Sequence, residues 1–410
     1  MSMAKAAVSK SEVSEASALQ GSVPKVNETP PWWLTLPDDF YCQSDGTELD
    51  AEYPFKVYGS AFLDVMLRTS LASMLSASML PRMLSGRHVE EEKAHLEFYA
   101  ELAELRDAER VFVEPPDNVD VVGHSPKRRE FSPGGGIPSL YLSFRSPFEP
   151  LNPEVADDYL SHRRNRTARA LYWTHPSGPR PTLIFVHGVV EHWYALNARY
   201  FSLRQFYDRG YDVLMVTLPF HGQRGDRRSP FSGYGLFASG FAHLNESMLH
   251  AISDLRVWMN YLYARGAPSV GISGLSLGGY LSALLAVVEP RLAFCIPNSP
   301  LVAPVDTMRA WQPTRRIMEI SARRIGADPL ALRRGMAVHS PLSYQPQLDP
   351  DRVMIIGGAG DRFTPPRYVR LLHAHWPQSH LHWFPGNHMF HIGQADYLRL
   401  MQEFMDRCCQ

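Results

Sequence analysis

Residues that can do chemistry gather where Gly274-Leu275-Ser276-Leu277-Gly278-Gly279 follows the apolar run Val270 to Ser273 and precedes a helical pattern. A G-x-S-x-G sequence between a strand and a helix sets its serine on a sharp, strained turn, with the hydroxyl clear of the sheet. Such a turn needs small neighbours, because the helix must approach the strand closely, and Gly274, Gly278 and Gly279 supply them. Ser276 is the candidate nucleophile. A serine hydroxyl attacks a carbonyl only when a base takes its proton and an acid orients that base. Two downstream loops offer the partners: Gly357-Gly358-Ala359-Gly360-Asp361 after one apolar run, and Phe384-Pro385-Gly386-Asn387-His388 after the next. Taken alone, a loop aspartate is a turn former, a histidine beside an asparagine is a solvated side chain, and G-x-S-x-G recurs by chance. The order Ser276, Asp361, His388, each directly after its own strand, is what points to acyl transfer.

Acyl transfer also needs donors for the developing oxyanion, worth about 3 kcal/mol for one donor. The backbone N–H of Leu277, at the start of the helix, is one candidate, and Val189 in Val186-His187-Gly188-Val189-Val190 is the second. Glu191, His192 and Trp193 come next and are candidates to line the substrate pocket, against the plainer reading that they only pack the loop. His221 and Arg224, in Leu218-Pro219-Phe220-His221-Gly222-Gln223-Arg224, face the same edge. His221 is a further pocket candidate, although both residues read first as structural support.

Eight β-rich runs must position these loops: Leu140 to Phe144, Ala168 to Trp173, Thr182 to Val186, Val213 to Leu218, Val270 to Ser273, Leu292 to Pro297, Val353 to Ile356 and His380 to Phe384. They alternate with helical stretches, such as the one carrying Leu244, Met248, Ile252, Leu255, Met259 and Leu262, which ends at Arg265-Gly266. That rhythm predicts an α/β fold with an eight-stranded, mostly parallel sheet and helices on both faces. The first 30 residues hold no aromatic and read as a disordered tail. Residues 31–135 read as a helical extension, and 136–410 as the α/β domain. Residues 301–345 read as a small helical cap inserted within that domain.

The 410 residues are 45% hydrophobic and carry a net charge of -1, which excludes bulk disorder and leaves no global field to attract nucleic acid. Four cysteines, Cys42 and Cys295 isolated and Cys408 and Cys409 adjacent, make no disulfide framework and favour a reducing, cytoplasmic setting. The most membrane-like stretch, Ala61 to Leu84, is broken by Asp64, Arg68 and Pro81, and falls short of the ~20 apolar residues a span needs. It reads as an amphipathic helix. His380, His382, His388 and His391 lack acidic partners at metal spacing, and there is no dinucleotide or phosphate loop, so neither metal nor cofactor is expected. In the cap, Arg309, Arg315, Arg316, Arg323, Arg324, Arg333 and Arg334 outnumber Asp306, Glu319 and Asp328. These arginines read as a solvated helix face, with a docking surface for an anionic group as the sharper alternative.

Across residues 165–410, the His187-Gly188 loop, the Ser276 elbow, Asp361 and His388 together resemble the α/β-hydrolase superfamily. The segment Pro219 to Arg224 and the helical extension more narrowly resemble its eighteenth abhydrolase-domain group. The resemblance implies a Ser-His-Asp hydrolase and gives no substrate; the expected substrate is a small-molecule ester or thioester. A binding or scaffold protein that keeps the fold without catalysis, and an acyltransferase, are the alternatives.

Overall fold

Side-chain alternation fixes the layers. In the strand Thr182–Val186 (β4) every residue is buried, but Leu183 and Phe185 join one apolar cluster while Ile184 and Val186 join another. Successive side chains of a strand point to opposite faces, so a strand apolar at every position must be covered on both sides. One face packs against the helices Gly240–Ala264 and Leu277–Val288, through residues such as Trp258 and Leu281. The other packs against Tyr194–Tyr200, Leu203–Asp208 and Gln394–Cys408, through Phe206, Met401 and Phe404.

In this computed structural model, which describes residues 30–84, 88–126, 136–190 and 193–410, one nine-stranded sheet holds all eight expected strands. The strands are β1 (Val122–His124), β2 (Ser139–Arg145), β3 (Thr167–Trp173), β4, β5 (Asp212–Thr217), β6 (Val270–Leu275), β7 (Leu292–Asn298), β8 (Met354–Gly358) and β9 (His380–Phe384). Their spatial order is β1-β2-β3-β5-β4-β6-β7-β8-β9. The first four in that order pair antiparallel, and the rest pair parallel. The strand missed in the sequence is β1. It is three residues long, exposed throughout and at the edge of the sheet, so it carries no apolar alternation to read. It also lies within the stretch expected to be helical, so the sheet begins before residue 136.

The helices Pro54–Leu84 and Val89–Leu105 precede the sheet, tied together by the Arg82–Glu92 ion pair at 2.6 Å. The tail expected over residues 1–30 lies outside the described residues, apart from Pro30. Between β7 and β8 run Pro304–Ala310, Thr314–Arg324 and Pro329–Met336, where the sequence suggests a cap. Leu96 of the Val89–Leu105 helix shares a buried cluster with Val305, Met308, Met318 and Met336 of this segment. Its arginines divide: Arg316, Arg323 and Arg324 are exposed, as on a solvated face, and the others are engaged within the chain. Arg333 is buried and grips Asp306 through two nitrogens at 2.6 and 2.9 Å, Arg315 pairs with Glu319, and Arg334 pairs with Glu104. Arg309 and Arg315 also stack over Tyr41, so several of the charges suggested for docking are consumed within the chain.

Candidate active site

A single residue separates β6 from the helix Leu277–Val288. Ser276 sits there at φ 57° and ψ −114°, a conformation that costs a non-glycine residue of order 1–3 kcal/mol. The strain is held by close packing. A Cβ on Gly274 or on Gly278 would run into the Val186 carbonyl oxygen, so the elbow closes against β4 only with glycine at both positions. The Ser276 N–H donates to the Asn298 carbonyl at 3.0 Å, and Tyr280 N–H donates to the Ser276 carbonyl at 2.9 Å. Leu277 is the first helical residue, so its N–H has no acceptor within the helix.

Asp361 follows β8, fully buried. Its Oδ1 accepts from the backbone N–H groups of Phe363 and Thr364 at 2.9 and 2.8 Å. Its Oδ2 accepts from Thr364 Oγ1 at 3.0 Å and lies 2.7 Å from His388 Nδ1. His388 follows β9, stacked on Phe363 with ring centroids 4.8 Å apart. With Nδ1–H donating to Asp361, Nε2 is left with its lone pair. Burial pulls the His388 pKa down, but the Asp361 charge and hydrogen bond and the Asp64 charge push it up, and the net lies above the ordinary histidine value.

Ser276 and His388 open into the same cavity, of about 580 Å³ and largely apolar. Gly188 and Val189 line it beside Ser276, and a Cβ built on Gly188 would stand 3.8 Å from the Ser276 Cβ. His187 fixes this turn. Its Nε2 accepts the Leu218 N–H at 3.2 Å, which leaves Nδ1–H to donate to the Gly188 carbonyl at 2.7 Å. Trp193 also lines the cavity, whereas Glu191 and His192 lie outside the described residues. His221 is not among the lining side chains: it is buried behind the turn, its ring 4.8 Å from that of His187 and its Nδ1 2.8 Å from the Pro219 carbonyl. Arg224 is buried too, paired with Asp254 at 2.7 Å and donating to the Asn165 carbonyl.

Several contributors are invisible to motif reading. Leu67 and Leu71 of the Pro54–Leu84 helix and Trp311 of the inserted segment wall the cavity, and Asp64 reaches the loop of His388. The one signal for them is the charged pair Asp64 and Arg68 set among the leucines and methionines of that helix. Among the described residues, Asp158, His162 and His243 are the group close enough to share a metal ion. They are held by ion pairs, His243 to Asp158 at 3.0 Å and His162 to Asp226 at 2.7 Å.

No family model matches the sequence. Two uncharacterized proteins of Mycobacterium tuberculosis, from strains CDC 1551 / Oshkosh and H37Rv, are each 28% identical over 331 residues, covering 78% of this chain and 75% of theirs. Acetyl xylan esterase 1 from Thermoanaerobacterium sp. JW/SL YS485 superposes with a TM-score of 0.51 at 16% identity, over 76% of this chain and 93% of the esterase. A Pyrococcus furiosus esterase gives 0.45 at 14% identity, over 73% of this chain and all of its own. The mostly parallel sheet, the strained serine between β6 and its helix, and the likeness to acetyl xylan esterase identify the chain as a protein of the α/β-hydrolase fold.

Proposed function

We propose that this chain is a serine hydrolase that cleaves a carboxylic ester or thioester through an acyl-enzyme on Ser276. The observation that carries the reading is His388, held 2.7 Å from Asp361, opening into one apolar cavity with a strained Ser276. In the first half-reaction His388 Nε2 takes the Ser276 proton as Oγ bonds to the acyl carbon, and the N–H groups of Leu277 and Val189 stabilise the oxyanion. The proton passes to the leaving alcohol or thiol as its bond to the acyl carbon breaks. Water then repeats the cycle, giving its proton to His388 and releasing the acid and Ser276. Asp361 orients the imidazole and stabilises its charged form.

The cavity wall favours an apolar group on the substrate, with Trp193, Leu67, Leu71 and Trp311 among its surfaces. A smaller apolar cavity of about 60 Å³ shares Val189 and Trp311 with it and runs past Leu277, which offers room for one arm of such a substrate. All four cysteines are free thiols. Among the described residues no helix is long and apolar enough to cross a membrane.

The test is a screen of acyl esters and thioesters of graded length against the purified chain and its Ser276→Ala variant. Hydrolysis by the wild type that disappears in the variant supports the reading. Equal turnover by both would overturn it, and product formed only with an alcohol acceptor would make the protein an acyltransferase.

A further inference from the structure

The helix Pro54–Leu84 lies before the sheet in sequence, yet one stripe of it is clamped onto the loops that carry Asp361 and His388. Ser60, Asp64 and Arg68 recur at i, i+4 and i+8, so they stand on one face. The Ser60 carbonyl accepts from Asn387 Nδ2, next to His388. Asp64 Oδ2 accepts two backbone N–H groups, that of Arg362 at 2.8 Å and that of His388 at 3.1 Å. Arg68 Nη1 donates to the Arg362 carbonyl at 2.9 Å. A Cβ on Gly360 would meet Ser60 Oγ and the Val57 carbonyl, so the helix sits flush on the Asp361 loop.

Asp64 is an unusual choice for this position. It is completely buried, and its Oδ1 has no hydrogen-bond partner among the described residues. A buried carboxylate is expensive unless its interactions are needed. A merely adhesive contact could be made by a neutral acceptor such as asparagine. A carboxylate adds a negative charge beside His388, where Asp361 already supplies one.

We propose that Asp64 is a positioning residue for His388: it locks the backbones of the Asp361 and His388 loops to one another and adds a second negative charge that favours the imidazolium. This rests on the serine-hydrolase reading only for its effect on rate. The charged and titratable groups around the pair are Asp361 and Arg362 on one loop, His391 on the other, Arg68 on the helix, and Arg367 at the start of Pro366–His375. Burial and the Asp361 charge push the Asp64 carboxyl up to about 7, while His388 and the two backbone donors pull it down. Asp64 therefore gains its charge over the same pH range in which His388 loses its proton.

The test reads His388 directly and does not need turnover. The imidazole of ¹⁵N-histidine-labelled protein is titrated by NMR in the wild type and in Asp64→Asn, with His388→Gln giving the assignment. Asparagine keeps an acceptor for the two N–H groups but removes the charge. The expected result is a His388 midpoint lower by about one pH unit in Asp64→Asn, the low end for loss of a neighbouring opposite charge. An unchanged midpoint would overturn the proposal. Wild-type protein provides a second reading should the variant fail to fold: the amide signals of Arg362 and His388 should move together through the Asp64 titration near pH 7, and independent behaviour counts against the lock. In kinetics, Asp64→Ala should lower kcat by about tenfold or more with little change in KM, and Asp64→Asn, which keeps the acceptor for the two N–H groups but not the charge, should restore only part of it. A wild type that neither hydrolyses esters nor reacts at Ser276 would refute the proposed function, while the NMR midpoint would still decide the role of Asp64.

Discussion

Asp361 touches His388 with one carboxylate oxygen and its own loop with the other: Oδ2 lies 2.7 Å from Nδ1, while Oδ1 takes the N–H groups of Phe363 and Thr364. Asp361 is thus held in place independently of His388. Orientation of the imidazole comes from backbone donors two and three residues along, not from packing alone.

Because these groups act as one unit, Ser276→Ala and His388→Ala should each remove at least ~10³ of the hydrolytic rate, with the fold intact by circular dichroism. Asp361→Asn should cost less, since the nucleophile and the base both remain. Near-wild-type kcat/KM in either of the first two variants would end the triad assignment.

The pH profile follows from the direction of the His388 shift. Only neutral imidazole accepts the Ser276 proton, so kcat/KM should rise with pH as His388 loses its own proton. The group is held above its ordinary value by Asp361 and Asp64 against the pull of burial, so the midpoint of that rise should lie above about 6.5. Measuring kcat/KM from about pH 5 to 9 checks this. A flat profile would remove histidine from the base role, and a midpoint below 6.5 would remove the two carboxylates as its dominant neighbours.

At the elbow, two glycines should respond differently to the same change. Gly278→Ala puts a Cβ into the Val186 carbonyl and should cost ~1–3 kcal/mol in urea unfolding, since β4 and the helix cannot separate without disturbing the sheet. Gly188→Ala meets only ordinary contacts, at 3.6 Å from the Leu275 carbonyl oxygen and 3.8 Å from the Ser276 Cβ, and its stability should stay within about 0.5 kcal/mol of wild type. Equal losses would mean that the elbow's packing does not set its strain.

In the inserted segment, Arg333→Ala should destabilise by about 3 kcal/mol, because it takes the two-nitrogen partner from a fully buried Asp306 and leaves it only Arg309 at 3.7 Å. Arg316→Ala, on the exposed side of Thr314–Arg324, should change stability by less than about 0.5 kcal/mol. Thermal melts of the two variants separate a structural arginine from a solvated one.

The sequence disclosed what is local and hid what is not. Ser276, Asp361 and His388 each sit in a short run whose meaning is set by the strand just before it, and all eight legible strands are long or apolar enough to show a pattern. Escaping notice was β1, at three exposed residues too short to have a period. The role of Asp64 escaped for a different reason: its partners Arg362 and His388 are about 300 residues away, and no spacing rule connects them. The arginines of 301–345 were legible as charge, but the partners of Arg334 and Arg309 were not, because Glu104 and the aromatic face of Tyr41 come from the preceding helical region. His221 was drawn toward the pocket by its place after β5, yet its ring turns inward to His187.

The central claim is that Ser276 is an activated nucleophile, and covalent trapping tests it most directly. The full-length protein is treated with a fluorophosphonate probe, digested, and its adduct mapped by mass spectrometry. The expected result is a single adduct on the peptide containing Ser276, absent from Ser276→Ala and strongly slowed in His388→Ala. Folded wild-type protein that takes up no probe, or takes it up equally well without the Ser276 hydroxyl, would contradict the account.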